Sequence, residues 1–224
     1  MDAFNTKMFE NKIAVVTGGT SGIGQAVAVA FAERGAKVWA LGLQAAKAVF
    51  PVGLDIEAVE MDVTDKAAVD AFFSKVDRID TLFNGAGMGS VSEHELDTYK
   101  KVLEVNLTSV FYISEVAATA LAKSDNPSII NVSSLYAQFG SGIAPAYSCS
   151  KGAIDQLTFS HALSMAQAKI RVNAVAPERA NTPMRQIAFP NEDHAALLTP
   201  EEVAAATLRL VASGLTGQVL DVRR

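Results

Sequence analysis

The sequence predicts a three-layer α/β/α fold built on one doubly wound, parallel sheet of seven strands. Three observations predict it. Short runs of β-branched and apolar residues alternate with helical patterns from residue 12 to residue 222, as expected when each parallel strand reaches the next through a crossover. The first run ends in Gly18-Gly19, and two more glycines, Gly22 and Gly24, follow before the first helical pattern. Half of the 224 residues are apolar and only 7% are aromatic, which supplies enough small aliphatic surface to pack helices on a sheet within a single domain, residues 1–224.

Residues 12–17 read as the first strand, a β-branched run suited to burial on both faces. Residues 25–34 carry an Ala-rich helical pattern stopped at Gly35, and residues 36–41 are the second strand. Residues 44–54, broken by Pro51 and Gly53, are too short for a full crossover helix and predict one turn or an irregular link. Residues 56–61 alternate as a third strand, 64–76 form a helix, and 77–83 form a fourth strand that runs into Asn84-Gly85-Ala86-Gly87. A long helical pattern covers 96–122, Asn126-Pro127 marks a turn, and 128–133 is the fifth strand. A Gly-rich loop, 136–145, leads to a second long helix, 146–169, and a sixth strand, 170–176. Residues 185–198 are short and contain Pro190. Thr199-Pro200-Glu201-Glu202 opens a helix with a cap, a proline at the first position and an acidic first turn. That helix reaches Ser213-Gly214, and 217–222 is the seventh strand.

Composition excludes several function classes. The net charge is −5, from 19 basic and 24 acidic residues, with no basic run of the kind that marks a nucleic-acid face. The lone Cys149 forms no disulfide framework or metal cluster. His94, His161 and His194 stand singly, without metal-ligand spacing, and read as surface or capping residues. No apolar stretch is long enough to span a membrane, and the N-terminal residues lack the apolar core of a signal peptide, so a cytoplasmic protein is expected.

Chemistry concentrates in three places. Glycines at 18, 22 and 24 permit a tight turn and let backbone approach a pyrophosphate, with helix N–H groups and a partial positive charge behind them. An ordinary glycine-rich loop is the competing reading. Ser134 ends the fifth strand at the C-terminal edge of the sheet, where open α/β sheets place ligands. Tyr147 and Lys151, at i and i+4, share one helix face. An ammonium beside a phenol is expected to lower its pKa from about 10 toward the working range, which would fit Tyr147 to exchange a proton with an alcohol or ketone oxygen that Ser134 holds. On spacing alone, a surface Tyr–Lys pair is the alternative. Asn106 lies among apolar residues in mid-helix, where its propensity is poor, as either a satisfied core amide or a functional group.

The ordered set is Thr-Gly-x-x-x-Gly-x-Gly at 17–24, Asp62, Asn84-Ala86-Gly87, Asn106, Ser134, Tyr147-x-x-x-Lys151 and Pro177 with Thr182. It resembles that of the short-chain dehydrogenase/reductase family, over nearly the whole chain. The resemblance implies a Rossmann-like sheet ordered 3-2-1-4-5-6-7, with a dinucleotide across the C-terminal strand ends. It implies an oxidoreductase that transfers a hydride between NAD(P)(H) and a secondary alcohol or ketone, with Tyr147 as acid/base and Asn106, Ser134 and Lys151 completing the catalytic set. In that family the asparagine kinks its helix and binds a water leading to the lysine. Cofactor contacts are implied for Gly18, Thr20, Ser21, Gly22, Ile23 and Gly24, for Gly42 and Leu43 after the second strand, and for Asp62 and Val63 at the adenine. They are also implied for Asn84, Ala86 and Gly87 at the adenosine ribose, for Tyr147 and Lys151, and for Pro177 and Thr182 at the nicotinamide. No metal is implied. Asp62 also reads as the cap of the helix that follows it. The two long helices are expected to pair subunits into a homodimer or homotetramer.

Five departures from the family pattern stand out. Gly42 occupies the position where an Asp is frequent, and no Arg or Lys lies at 42–44 or 20–21. NAD is therefore favoured, with NADP as the alternative. Gly85 replaces a second Asn, so a sheet-stabilising hydrogen bond is expected to be lost. Glu178 replaces a glycine and would put a carboxylate beside the nicotinamide. The segment 185–198 is trimmed, and the chain ends in Arg223-Arg224 without an Asp-Gly-Gly tail. These departures keep a second reading open, a catalytically weak dinucleotide-binding sensor or scaffold subunit. A third, a sugar-nucleotide epimerase or dehydratase, has little room in the C-terminal portion. Residues 88–94 and 185–198 are expected to shape the substrate site.

Overall fold

The computed structural model describes residues 7–89 and 93–224; residues 1–6, in the N-terminal stretch read above, and 90–92, in the middle of the segment 88–94, lie outside the described residues. The described residues form seven strands: β1 (Ile13–Thr17), β2 (Lys37–Gly42), β3 (Ile56–Glu60), β4 (Thr81–Asn84), β5 (Ser128–Val132), β6 (Arg171–Pro177) and β7 (Val219–Val222). They pair in parallel in the order β3-β2-β1-β4-β5-β6-β7. The sheet grows outward from β1 to β3, and the chain then returns to lay β4 on the other edge of β1. That reversal opens a crevice above the C-terminal ends of β1 and β4. Eight α-helices accompany the strands among the described residues: α1 (Gly22–Ala32), α2 (Lys66–Phe73), α3 (Leu96–Leu103), α4 (Ser109–Leu121), α5 (Tyr136–Phe139), α6 (Pro145–Ser164), α7 (Pro183–Ala188) and α8 (Pro200–Ala212). No helix among the described residues is long and apolar enough to cross a membrane.

The period of two in the strands divides the core. Ala14 and Val16 of β1 join Val38, Phe83, Ile130 and Val175 beneath α1 and α8. Val15, between them, joins Leu82, Ile129 and Val172 beneath α2 and α4 on the opposite face. Phe31 of α1 and Phe83 of β4 are fully buried, and each contributes about 1.5–3 kcal/mol of burial free energy. α8 is held at its start by the expected Thr199 cap, which the structure completes as a capping box. Thr199 Oγ1 accepts from the Glu202 amide at 3.2 Å, and Glu202 Oε2 accepts from the Thr199 amide at 2.7 Å.

Several boundaries differ from the sequence reading. α1 begins at Gly22 rather than residue 25, because the glycines of the turn themselves form the first helical turn. The link after β2 is irregular, as expected, with one 3₁₀ turn at Ala45–Lys47. Asp62 does not cap α2; Asp65 does, accepting from the Ala68 amide at 3.1 Å. The helix expected over 96–122 is three consecutive segments, with a π-helical turn, Glu104–Thr108, between α3 and α4. The Gly-rich loop 136–145 opens with a helical turn, α5. The segment 185–198 is shaped by α7 and a 3₁₀ turn at His194–Ala196. His161, read as a surface or capping residue, is buried on α6, with Nε2 3.4 Å from Glu115 Oε1.

Candidate active site

The turn after β1 is built by steric necessity. Gly18 has φ +66°, and a methyl group there would lie 2.7 Å from the Gly85 carbonyl. A methyl at Gly24 would stand 2.2 Å from the Gly18 carbonyl oxygen. The turn is therefore pressed between the 84–87 segment and the start of α1, with bare backbone on its outer side. At the α1 N-terminus, Ser21 makes no side-chain capping bond and the first turn carries no acidic residue. The terminus thus keeps the partial positive charge that suits an anion. Ile23 is partly buried against the core beneath α1.

Beside that turn, a side chain at Gly42 would meet Thr20 Oγ1 at 2.4 Å, while Thr20 Oγ1 donates to the Leu43 carbonyl at 3.2 Å. The missing acidic residue therefore has a local cause: Thr20 fills its place. Leu43 is exposed. Glu60, at the end of β3, accepts from the Gln44 and Ala45 amides at 3.0 and 2.8 Å. Asp62 accepts from the Thr64 amide and hydroxyl at 2.9 and 2.7 Å, bonds that hold its carboxyl below the usual range. Val63, next to it, is buried.

The Asn84 amide nitrogen is spent on the sheet, while the side chain's Oδ1 is buried without a hydrogen-bond partner among the described residues. Its Nδ2 donates to Asn131 Oδ1 at 2.9 Å and Ser114 Oγ at 3.1 Å, and Asn131 in turn donates to Thr158 Oγ1 of α6. This line of amides ties β4 and β5 to α4 and α6 without the second asparagine. A side chain at Gly85 would collide with the Phe83 ring at 2.4 Å. The Gly85 and Ala86 amides donate to Thr17 Oγ1. A methyl at Gly87 would lie 3.4 Å from Asn106 Oδ1 and 3.8 Å from Lys151 Nζ, so the backbone passes close to both.

Asn106 is completely buried in the π-helical turn. Its Oδ1 accepts from the Met88 amide at 2.8 Å, and its Nδ2 donates to the Met88 carbonyl at 2.9 Å and to Ser150 Oγ at 3.1 Å. These three bonds pin the end of the 84–88 segment to α6. Lys151 Nζ donates to the Val132 carbonyl at 2.7 Å and stands 5.4 Å from the Tyr147 ring centroid. Tyr147 is partly buried, with its ring edge-on to Tyr136 at 6.3 Å, and its phenol shares a hydrogen bond with Ser134.

The electrostatics reverse one expectation. The Tyr147 phenol is not lowered by the lysine; burial pushes it up to about 12, against the pull of the Ser134 hydrogen bond. The physical reason is that Lys151 lies over the ring and donates its hydrogen bond to the Val132 carbonyl, so desolvation outweighs its attraction. Burial also brings Lys151 down to about 8. The sign of the linkage follows. Between about pH 8 and the unfolded value of 10.5, the unfolded chain binds more protons at this residue than the folded chain, so stability from Lys151 rises with pH across that window. In urea unfolding, the stability of the wild type relative to Lys151→Met is expected to increase from pH 8 to pH 10.5. A constant difference would count against the depressed lysine.

On the far side of the crevice, the Pro177 carbonyl accepts from the Leu135 amide, and Thr182 caps α7 by accepting from the Arg185 amide at 3.2 Å. A methyl at Gly22 would touch Thr182 at 3.4 Å, so this loop abuts the glycine turn. Glu178 continues the β6–β7 pairing through its amide, and its side chain is exposed to solvent.

The sequence model of the family described as short chain dehydrogenase matches residues 12–193. The chain belongs to the short-chain dehydrogenase family. It is 35% identical to cis-4-hydroxycyclohexanecarboxylate dehydrogenase of Sinomonas cyclohexanicum, over 96% of each chain. Among solved structures, it resembles 3-ketoacyl-(acyl-carrier-protein) reductase from Brucella melitensis complexed with NADH (TM-score 0.85, 31% identity, 96% and 97% coverage). It also resembles a short chain dehydrogenase from Shigella flexneri complexed with NADP (TM-score 0.89, 26% identity, 98% and 100% coverage). As a short-chain dehydrogenase, the protein is an oxidoreductase that exchanges a hydride between NAD(P)(H) and a secondary alcohol or its ketone.

The family fingerprint did not direct attention to four residues around this site. Tyr136 meets Tyr147 edge-on. Arg185 stacks on Phe189 at 3.7 Å and is doubly bonded to Glu192 at 2.6 and 2.9 Å. Glu60 fixes the loop after β2. Glu93 reaches α6 from the segment before α3. Glu93 and Arg185 lay in the segments 88–94 and 185–198 already expected to shape the substrate site, but nothing in their spacing joined them to Tyr147.

Proposed function

We propose that Tyr147 is the proton-exchanging group of this short-chain dehydrogenase and that its substrates are cyclic secondary alcohols and their ketones. The observation that carries the reading is the convergence on one phenol. Ser134 is hydrogen-bonded to it and Lys151 stands over its ring, at the sheet edge where the glycine turn and the 84–87 backbone also meet. When bound, NAD(P)(H) supplies or accepts the hydride. In reduction, a phenol kept protonated by burial is the form able to hand a proton to a carbonyl oxygen, which the Ser134 hydroxyl would also hold. In oxidation, Tyr147 takes the alcohol proton as the phenolate, a form that grows as pH rises, and Lys151, brought near 8, is suited in its neutral form to receive that proton and pass it to solvent. The cyclic substrate class rests on the hydroxycyclohexanecarboxylate dehydrogenase relative.

The same reading assigns the dinucleotide to Gly18, Thr20, Ser21, Gly22, Ile23 and Gly24, to Gly42 and Leu43, and to Asp62 and Val63. The backbone of Asn84, Ala86 and Gly87, together with Tyr147, Lys151, Pro177 and Thr182, completes the cradle. Support comes from the uncapped α1 terminus, the bare glycine turn and the contact between Gly22 and Thr182. NAD is favoured because residues 42–44 carry no cation, and the nearby Glu60 carboxylate is fixed by two amides where a 2′-phosphate would add negative charge. Leu43→Arg is expected to tighten NADPH binding about tenfold relative to NADH, since one charge-assisted hydrogen bond is worth about 1.5–3 kcal/mol. Fluorescence titration with both cofactors reads this, and an unchanged ratio would remove Leu43 from the ribose site. A homodimer or homotetramer in the cytoplasm is proposed as well, supported by exposed Phe111 on α4 and Phe159 and Leu163 on α6. The deciding experiment is turnover on a panel of cyclic alcohols and ketones with each cofactor, with Tyr147→Phe as control. Cofactor binding without turnover on any compound would overturn the proposal.

A further inference from the structure

We infer that Glu93 is a positioning residue for Tyr147: its carboxylate caps the start of α6 at the tyrosine's own amide and fixes where the phenol stands. The inference rests on the reading of Tyr147 as the proton-exchanging group. Glu93 is 1% exposed, and its Oε2 accepts from the Tyr147 amide at 2.8 Å across 54 residues of chain.

The helix needs such a group. The residue at its N-cap position, Ala144, has no side chain able to accept a hydrogen bond, and Pro145 at the first position has no N–H. The first-turn amides must therefore find an acceptor elsewhere. Tyr147 is also gripped from the other side. Its carbonyl accepts from Ser150 Oγ at 2.7 Å, and Ser150 Oγ accepts from Asn106 Nδ2 at 3.1 Å. Both ends of the Tyr147 main chain are thus set by side chains, one of them from the segment before α3. A rotation of the first turn of α6 would swing the phenol away from Ser134.

A carboxylate suits the positive end of the helix dipole, and here it also carries its charge to the phenol. The groups facing the phenol are Ser134 and Arg185, which lower it, and Tyr136 and Glu93, which raise it; Lys151 stands over the ring, with Asp155 acting on the lysine. Glu93 therefore opposes Arg185 and helps keep the phenol protonated, the form that donates in ketone reduction.

The test compares wild type, Glu93→Ala and Glu93→Gln. Glu93→Ala is expected to lose about 10–100-fold in kcat, the scale of a small misplacement of a reacting group, with KM and NADH affinity unchanged. Glu93→Gln keeps an oxygen for the Tyr147 amide but no charge. It is expected to recover most of kcat and to move the rate–pH profile of alcohol oxidation to lower pH. The same shift is read without turnover in the ultraviolet titration of the Tyr147 phenol, with Tyr147→Phe variants subtracted. An inactive wild type would then count against the functional reading alone, and the titration would still decide this one. Wild-type kcat in Glu93→Ala, or a Glu93→Gln protein as slow as Glu93→Ala, overturns the inference. If Glu93→Ala does not fold, an unshifted phenol in Glu93→Gln overturns it.

Discussion

Replacing Tyr147 with phenylalanine is expected to lower kcat by about 10²- to 10⁴-fold, the usual contribution of a positioned proton-transfer group, while leaving NADH binding and the fold intact. At 1.36 kcal/mol per decade, this is about 2.7–5.4 kcal/mol of transition-state stabilisation. The expectation of an intact fold has a specific basis. The phenylalanine ring keeps the edge-on contact with Tyr136 and the face beneath Lys151. The amide and carbonyl at position 147 keep their bonds to Glu93 and Ser150. Only the hydroxyl and its bond with Ser134 are lost. Removing a desolvated phenol together with one partially satisfied bond costs little stability. The measurement is steady-state kinetics in both directions, with NADH affinity and thermal midpoint as controls. A variant within threefold of wild type would end the assignment of Tyr147, since nothing else in the crevice would then need the phenol. The pH dependence adds a sign. With the phenol raised to about 12 by burial, reduction should stay fast through neutral pH, and oxidation should gain as pH rises.

Much of this arrangement was legible in the chain, for identifiable reasons. The glycine turn, the strands and the Tyr147–Lys151 face follow from local patterns: small residues where backbones touch, a period of two in strands, a spacing of four on a helix; the strand order came with the family resemblance. The gap after β2 was legible because Pro51 and Gly53 leave no room for a crossover helix. Features that depend on what surrounds a group were not legible. Spacing places Lys151 next to Tyr147, but only the folded chain gives its ammonium to the Val132 carbonyl and leaves desolvation to set the phenol. Asn106 was marked as anomalous in its helix, yet the π-helical turn and the pair of hydrogen bonds with the Met88 backbone arise from contacts 18 residues apart. Asp62 has the composition of a cap, but Asp65, three residues on, is better placed to reach an unpaired amide. Glu93 is one acidic residue in a polar stretch until α6 is brought against it. The missing acid at Gly42 belongs to the same class, because Thr20 fills that space from a different turn.

The glycine turn supports the second large prediction. Gly24→Ala places a methyl group 2.2 Å from the Gly18 carbonyl oxygen, 2.6 Å from its carbon and 3.1 Å from the Gly19 amide nitrogen. All three are backbone atoms, so no side chain can rotate away to relieve the contact. The turn cannot withdraw freely either. Gly18 already rests against Gly85, and the Gly19 amide donates to the Leu41 carbonyl at 2.9 Å. The alternative is for α1 to back away, but Val27, Ala28 and Phe31 of α1 are buried in the core it shares with α8. Either movement gives up close packing, and the expected cost is about 3 kcal/mol or more, at the upper end for overpacked sites. For a chain of this size, that lowers the thermal midpoint by about 6–12 °C. Dinucleotide affinity should fall in parallel, by at least about tenfold, because the amides at the start of α1 leave their positions beside the turn. Gly142→Ala, where an added methyl meets nothing within 4 Å, serves as the control and should stay within about 0.5 kcal/mol of wild type. The two variants differ from wild type by the same single methyl group, so the contrast isolates the contact with the Gly18 carbonyl from the change in residue type. Equal midpoints and equal NADH affinities in the two variants would mean that α1 and the turn are not pressed together as described. The anion cradle would then need a different origin.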